Sequence, residues 1–252
     1  MNVFGKISRI QIICFIISIA FLGLFYGYSR AVRNEFGKAL DFSVTVKIQE
    51  RIDKSSKLRA AELIGNIMEG STFLASPEVS TVVVIVLGLI SLVDVKKKRL
   101  RYGSLLIFLA FFLLVLGEMY GKSVVHHPSP PFYMIKNPTS VFPKNYINEQ
   151  FSYPSGHAAR AIFIGIVLLG VYWYKQCKNG AILTIKSLMT PKTLLVVCLV
   201  ALYVMLVAVS RIYIGHHWFS DIFGGVLLGS GFGLLALAFI LPDPYNTKYM
   251  NS

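Results

Sequence analysis

The chain has 252 residues, of which 55% are hydrophobic and only 15% are charged, and its mean hydropathy is +0.63. Ordinary soluble domains carry roughly 25% charged residues, so this composition excludes them and indicates an integral membrane protein. The formal net charge of +13 does not indicate a nucleic-acid partner, because Lys and Arg occur in clusters between apolar runs. We interpret these clusters as topology signals and as contacts for phosphate or lipid headgroups.

Six apolar runs predict six membrane-spanning helices. The first run lacks a small-x-small cleavage site and is followed by further spans, so we read it as an uncleaved helix rather than a signal peptide. Several runs are shorter than the roughly 20 residues needed to cross the bilayer and must borrow flanking residues. The sequence thus predicts an all-α integral membrane fold, a six-helix transmembrane bundle in a single domain (1–252), with spans at about 10–28, 78–94, 102–120, 156–174, 193–210 and 220–241.

The segment 29–77, between spans one and two, is polar and mixed in charge. Apolar residues alternate over 40–48, which is typical of a strand, but recur at helical spacing over 58–68. We expect an external amphipathic segment of one or two short helices on the membrane surface, with 42–48 ambiguous between strand and helix.

The last span contains Gly225, Gly229 and Gly233 at four-residue intervals. Such a stripe of small residues lets a neighbouring helix approach closely. It predicts a compact bundle.

Basic residues also predict the orientation. The Lys- and Arg-rich stretch 96–101 and the lysines within 175–192 fall on the same side by parity. The positive-inside rule makes that side cytoplasmic, together with both termini. Segments 29–78, 118–155 and 211–221 then face outward, and the last two hold nearly all the polar chemistry.

The turn after span five concentrates charged groups at a membrane edge, where they are expensive to place and therefore indicate function. His217 and Asp221 are four residues apart, so the carboxylate can fix the imidazole tautomer and leave its other nitrogen free as nucleophile or base. Arg211 can offer a fork of donors to an anion. The alternative is an interfacial ion pair of Arg211 with Asp221, but the combination of groups favours a functional site.

Ahead of span four stands Pro154-Ser155-Gly156-His157. This sequence exposes backbone N–H groups at a helix N-terminus, which is a natural anion site, and Gly156 lets a ligand come close. His157 would be placed to give a proton to a leaving group. The alternative is a plain N-cap with an incidental histidine.

Lys122 closes span three and is followed by His126-His127-Pro128-Ser129-Pro130. Together the three segments resemble the type 2 phosphatidic acid phosphatase superfamily, whose signature is Lys-x6-Arg-Pro, Pro-Ser-Gly-His and Ser-Arg-x5-His-x3-Asp. The second motif matches in full at 154–157, and the third matches at Ser210, Arg211, His217 and Asp221. Order, spacing and the six-span layout extend the resemblance over most of the chain.

The resemblance implies hydrolysis of a lipid phosphate through a phosphohistidine. His217, oriented by Asp221, would be the nucleophile, and His157 would protonate the leaving oxygen and then activate water. The phosphate oxygens would be held by Lys122, Arg211, Ser155 and the Gly156 N–H. No metal or other cofactor is expected, and the expected partners are membrane lipids, with phosphatidate, phosphatidylglycerophosphate and undecaprenyl diphosphate as the candidate substrates of a bacterial cell membrane.

The first motif departs from the family at Ser129, which stands where the family has arginine. In that family the arginine helps to hold the phosphate, so the resemblance implies that its loss weakens phosphate binding by one charge-assisted contact, roughly 1.5–3 kcal/mol. Arg160 is a candidate substitute, because it lies three residues after His157 and shares its helix face; alternatively it snorkels to the interface. At most one of His126 and His127 would contribute, because adjacent side chains point in different directions.

Three alternatives fit the sequence less well. A catalytically weakened or inactive lipid-phosphate-binding protein would explain Ser129, but such a protein has no need for two histidines and a carboxylate. A metal site is disfavoured, because Lys122 and Arg211 would repel a divalent cation. A transporter would distribute its charged groups through the spans instead of gathering them on one face.

Overall fold

The computed structural model describes residues 9–55, 58–94, 99–100, 102–136, 150–178 and 190–240. Within these ranges the chain forms eight α-helices: α1 Arg9–Arg33, α2 Lys38–Ser55, α3 Leu58–Leu74, α4 Pro77–Leu92, α5 Leu105–Val125, α6 Gly156–Lys178, α7 Pro191–Tyr213 and α8 Phe219–Ile240. Two-residue strands, Val93–Asp94 and Arg99–Leu100, pair between α4 and α5. The all-α fold is confirmed. Some residues used in the sequence predictions lie outside the described ranges: the basic residues 96–98 and 186, on which the orientation depends, and residue 241, the predicted end of the last span.

Five of these helices, α1, α5, α6, α7 and α8, are long and apolar enough to cross a membrane. Helix α4 has 16 residues, about 24 Å at 1.5 Å per residue, which is short of the roughly 30 Å hydrocarbon core. It reaches the required length only together with Glu62–Leu74 of α3, from which it is bent by 53°. Five or six spans result, and the multi-pass membrane character is confirmed.

The bend between α3 and α4 has a local cause. Pro77 occupies the first turn of α4, where it lacks the N–H that would continue α3. Ser76 is the N-cap, and its hydroxyl accepts a hydrogen bond from the Val79 N–H at 3.3 Å. Proline and an N-capping serine together stop one helix and start the next.

Helix α8 is the centre of the bundle and packs most extensively against α6 and α1. The glycine stripe meets α6: a Cβ at Gly229 would overlap the Ala159 carbonyl and Ile162, and one at Gly225 would overlap the Ser155 carbonyl. The prediction that this stripe permits close helix approach is confirmed.

Helix α2 covers 42–48, so the ambiguous stretch is helical. At the start of the helix the apolar pattern is inverted: Leu40 and Phe42 are 54% and 50% exposed, whereas Asp41 and Thr45 are 2% and 0% exposed. Two polar side chains of α2 therefore face the bundle, although Ile48 farther along also packs against the buried core.

The C-terminal ends of α5 and α7 and the N-terminal ends of α6 and α8 meet at one end of the bundle. Main-chain hydrogen bonds tie their connections together: Ser155 N–H donates to the Asp221 carbonyl at 2.9 Å, and Lys136 N–H donates to the Ile214 carbonyl at 2.8 Å. Helix α2 packs over the same end through its contacts with α7 and α8. The three sequence motifs are thereby brought to one place.

Candidate active site

Asp221 lies at the centre of this region and is fully buried in the first turn of α8. Its Oδ2 accepts a hydrogen bond from the Trp218 backbone N–H at 2.8 Å. Trp218 is the residue that precedes the helix, so this bond is the returning half of a capping box. The carboxylate also benefits from the positive end of the helix dipole. These contacts fix its orientation.

Two imidazoles meet the Asp221 carboxylate. His217 Nδ1 lies 3.5 Å from Oδ2, as the four-residue spacing predicts. His127 Nδ1 lies 2.9 Å from Oδ1. His126 points elsewhere: it ends α5 in the left-handed conformation with φ of 54°, and its ring contacts Phe151. Of the two adjacent histidines, only His127 therefore joins the site.

Asp41 of α2 is a second buried carboxylate beside this cluster. It accepts two hydrogen bonds from Ser220, one from the backbone N–H at 2.7 Å and one from the hydroxyl at 2.8 Å. Its Oδ2 also lies 3.9 Å from His127 Nε2. Burial raises the pKa of the Asp41 carboxyl, and nearby Asp221 acts in the same direction. Sequence reasoning missed this residue; a helical reading of 41–48 would have put Asp41 and Thr45 on one face.

The second motif is held against the third by backbone contacts. Ser155 is fully buried; its carbonyl accepts the Ala159 N–H at 3.0 Å and so starts α6. Its hydroxyl has no hydrogen-bond partner among the residues that the structure describes. The N–H groups of the first turn of α6 have no intrahelical acceptor. Hydroxyl and N–H groups together form a suitable cradle for an anion.

Glu118 connects the first motif to the second, and it too was missed. Its carboxylate lies 3.4 Å from Lys122 Nζ and accepts a 2.7 Å hydrogen bond from Arg160 Nη1. It also fills the space that a Cβ at Gly156 would occupy. A glutamate one helical turn before Lys122 is a visible i, i+4 pair, but the sequence does not reveal that the pair packs against Gly156.

Arg160 does not snorkel, because it is only 4% exposed. Its Nε donates to the Ala75 carbonyl at 3.2 Å, at the bend between α3 and α4. With its other described bond on Glu118, Arg160 links that bend to Lys122.

Arg211, His157 and His216 complete the region. His157 lies close enough to Arg211 and His217 to interact with both electrostatically. The Arg211 carbonyl accepts the N–H of His216 at 3.1 Å, in a tight turn in which Gly215 has φ of 78° and lies against Met134. Burial, together with Arg211 and His217, lowers the pKa of His216 to about 3. His216 is therefore neutral near pH 7.

Ser129 is half-buried between Pro128, whose carbonyl accepts the Trp218 indole N–H at 2.8 Å, and the buried Pro130. The loop is therefore well anchored although its family arginine is missing. In the part of the chain that the structure describes, no three His, Cys, Asp or Glu side chains are arranged to hold a metal ion.

This fold and site define a class of protein: a helical membrane protein in which histidines surround a buried aspartate and Lys and Arg side chains lie nearby. The family model of the PAP2 superfamily matches residues 100–243, more than half of the chain. The protein therefore belongs to the PAP2 superfamily.

Two relatives are informative. An undecaprenyl-diphosphatase of Sulfolobus acidocaldarius is 30% identical over 142 residues, which are 56% of each chain; the match thus spans about half the length of that curated relative. The crystal structure of a transmembrane PAP2 type phosphatidylglycerolphosphate phosphatase from Bacillus subtilis aligns with a TM-score of 0.59 at 19% identity, covering 87% of this chain and 93% of that one. The second relative shows a shared fold.

Proposed function

We propose that the protein is a membrane lipid phosphatase, which hydrolyses a phosphomonoester or diphosphate of a lipid through a phosphohistidine. The observation that carries this proposal is the hydrogen bond from the Ser155 N–H to the Asp221 carbonyl. It holds the Pro-Ser-Gly-His motif against the His-x3-Asp motif. The contact of Glu118 with both Lys122 and Gly156 brings in the first motif.

In the first chemical step, His217 Nε2 attacks phosphorus while its Nδ1 faces Asp221, which stabilises the cationic imidazole. The bond from phosphorus to the ester or anhydride oxygen breaks, and His157 gives that oxygen a proton. In the second step, His157 takes a proton from water, the water oxygen attacks phosphorus and the phosphorus–nitrogen bond breaks. Phosphate leaves and both histidines regain their starting states.

The equatorial oxygens would be held by Lys122, Arg211, the Ser155 hydroxyl and the Gly156 N–H. Fixed donors aimed at the charge that develops in the transition state are the main source of catalysis in phosphoryl transfer. Arg160 would act indirectly, because it holds the Glu118 carboxylate, which lies 3.4 Å from Lys122 Nζ. These steps use no metal ion and no other cofactor.

We propose phosphatidate, phosphatidylglycerophosphate and undecaprenyl diphosphate as the substrate candidates. The relatives carry the names of phosphatases for the last two lipids. A site at the end of a helical bundle can take a headgroup while the lipid chains stay in the bilayer. We further propose a bacterial cell membrane location, with both termini cytoplasmic, the site facing outward, lipids as partners and no nucleic acid.

Phosphate release by the purified protein from these three lipids, with and without chelator, tests the proposal. We expect release from at least one lipid, unaffected by chelator, and none from His217→Ala. If none of the lipids releases phosphate, the result would favour the alternative that Ser129 suggests, an inactive lipid-phosphate-binding protein. If activity is lost in chelator, the reaction requires a metal.

A further inference from the structure

We propose that Asp41 is a positioning residue of the active site, which acts through His127 on Asp221. The inference rests on the proposed phosphatase function. It assigns a role in catalysis to α2, which lies outside the three sequence motifs.

The first step of the inference is that His127 stands between two buried carboxylates. Its Nδ1 is 2.9 Å from Asp221 Oδ1, and its Nε2 is 3.9 Å from Asp41 Oδ2. The exposed fractions of Asp41 and Asp221 are 2% and 0%. Water therefore screens neither charge well, and each carboxylate influences the imidazole strongly.

The second step concerns the proton on His127. A neutral imidazole has one N–H, and the nitrogen that carries it is set by what the other nitrogen faces. Asp221 accepts a hydrogen bond only if Nδ1 carries a proton. The Asp41 carboxylate, 3.9 Å from Nε2 on the far side of the ring, limits how the ring can turn and keeps Nδ1 directed at Asp221.

The third step links His127 to the proposed nucleophile. His127 holds Oδ1 of Asp221, and the Trp218 N–H holds Oδ2. With both oxygens held, the carboxylate plane is fixed and Oδ2 stays beside His217 Nδ1. If the His127 bond is lost, the carboxylate can rotate, and His217 loses its orientation.

Asp41 could also act by a second route, because it accepts two hydrogen bonds from Ser220 in the first turn of α8. By that route Asp41 would stabilise the start of α8 rather than orient the imidazole of His127. The two routes predict different results, because only the first one depends on His127.

The test measures kcat and KM for Asp41→Asn, His127→Asn and the double variant. Asparagine places an amide N–H near the position of Nδ1, so His127→Asn keeps a donor for Asp221 but removes the nitrogen that faces Asp41. We expect Asp41→Asn to lower kcat by about 10-fold to 100-fold, by analogy with the partners that orient metal-bound histidines, with KM nearly unchanged. We expect no further decrease when it is added to His127→Asn.

His127→Gln provides an independent arm, because glutamine places its amide near Nε2 instead. We expect it to lose more turnover than His127→Asn. Equal losses of kcat in the two His127 variants would overturn the inference. So would a full effect of Asp41→Asn in the His127→Asn background, or a loss of kcat in Ser220→Ala equal to the loss in Asp41→Asn.

Asp53→Asn is the matched control, since Asp53 is a carboxylate on the same helix that pairs with Lys136 and Tyr213 instead of an imidazole. Its kcat should equal that of the wild type. A wild type that releases no phosphate would refute the proposed function alone. In that case melting temperatures in detergent still decide the inference: non-additive losses for Asp41→Asn and His127→Asn support it, and additive losses overturn it.

Discussion

At the residue scale, the two oxygens of Asp221 are approached by three neighbours, His127, His217 and the Trp218 N–H. Asp221→Asn keeps the size but replaces one acceptor by an N–H donor. That donor must then face either His127 or the Trp218 N–H, both of which are donors. We expect kcat for phosphate release to fall at least about 100-fold, with a small change in KM because the substrate-holding groups remain.

Single-turnover measurements would locate this defect in the formation of the proposed phosphohistidine. If Asp221→Asn raised KM strongly and left kcat intact, the carboxylate would have to act in substrate binding instead. The variant should also melt within a few degrees of the wild type, so that a loss of folding is separated from a loss of catalysis.

Glu118 and Arg160 form a buried ion pair whose single and double variants should behave differently. Arg160→Ala leaves the Glu118 carboxylate, whose side chain is 12% exposed, without its closest cation. We expect a stability loss of about 3 kcal/mol, at the low end for a broken buried pair, because Lys122 is still 3.4 Å away. The measurement is unfolding in detergent.

Adding Glu118→Gln to Arg160→Ala removes the uncompensated charge, so we expect part of the stability and part of the turnover to return. A double variant that is stable but inactive would assign Arg160 to direct phosphate contact. The two outcomes thus distinguish an indirect role of Arg160 from a direct phosphate contact that replaces the family arginine, in whose position this chain has Ser129.

His216 should make the protein sensitive to acid. Its pKa is lowered to about 3 in the folded state, whereas an unperturbed histidine has a pKa of about 6.5. Between these values the unfolded chain binds more protons, so stability falls as pH drops from about 6.5 toward 3. His216→Asn should therefore show a smaller decrease in melting temperature between pH 7 and pH 4.5 than the wild type, and an equal decrease would contradict the shift.

Much of the candidate site could be predicted from local spacing. His217 with Asp221 and Ser155 with Gly156 lie within single turns, where sequence separation determines proximity. Asp41 and Glu118 could not be found this way. Asp41 meets Ser220 across 179 residues, and Glu118 meets Arg160 across 42. Only the packing of the helices brings these groups together.

At the element scale, the contact of α6 with α8 depends on the absence of side-chain atoms at Gly229. Gly229→Val would force its side chain into the Ala159 carbonyl and Ile162. We expect a loss of several kcal/mol or failure to fold, since overpacking costs about 1–3 kcal/mol per site and backbone cannot easily yield. Gly27→Val on α1, where nothing lies within 4 Å, is the control and should retain most of the melting temperature in detergent.

Helix α2 shows why its type could not be decided from the sequence. The alternating apolar residues of 40–48 suggested a strand, yet Leu40 and Phe42 face outward and the buried positions are Asp41 and Thr45. In water an apolar outward face would be unfavourable, but at a membrane it can face lipid. Period-based reasoning assumes an apolar interior, and that assumption fails at the start of this helix.

At the scale of the whole molecule, the proposed orientation can be tested with cysteine labelling in intact cells. Tyr133 is 79% exposed at the end that carries the site, and Tyr102 is 67% exposed beside the opposite end of α5. In a background with Cys14, Cys177 and Cys198 replaced, a membrane-impermeant thiol reagent should label Tyr133→Cys at once. Tyr102→Cys should react only after the cells are permeabilised, and the reverse pattern would invert the topology.

The hydrogen bond from the Ser155 N–H to the Asp221 carbonyl is made by main-chain atoms only. Substitutions that leave the path of the chain unchanged therefore do not remove it. The distance between the Pro-Ser-Gly-His motif and the His-x3-Asp motif is therefore set by the backbone, while the side chains around it remain open to change. A chain of this kind can carry Ser129 where its family has arginine, and can hold a contact such as Asp41 with His127, while its two histidine motifs stay in register.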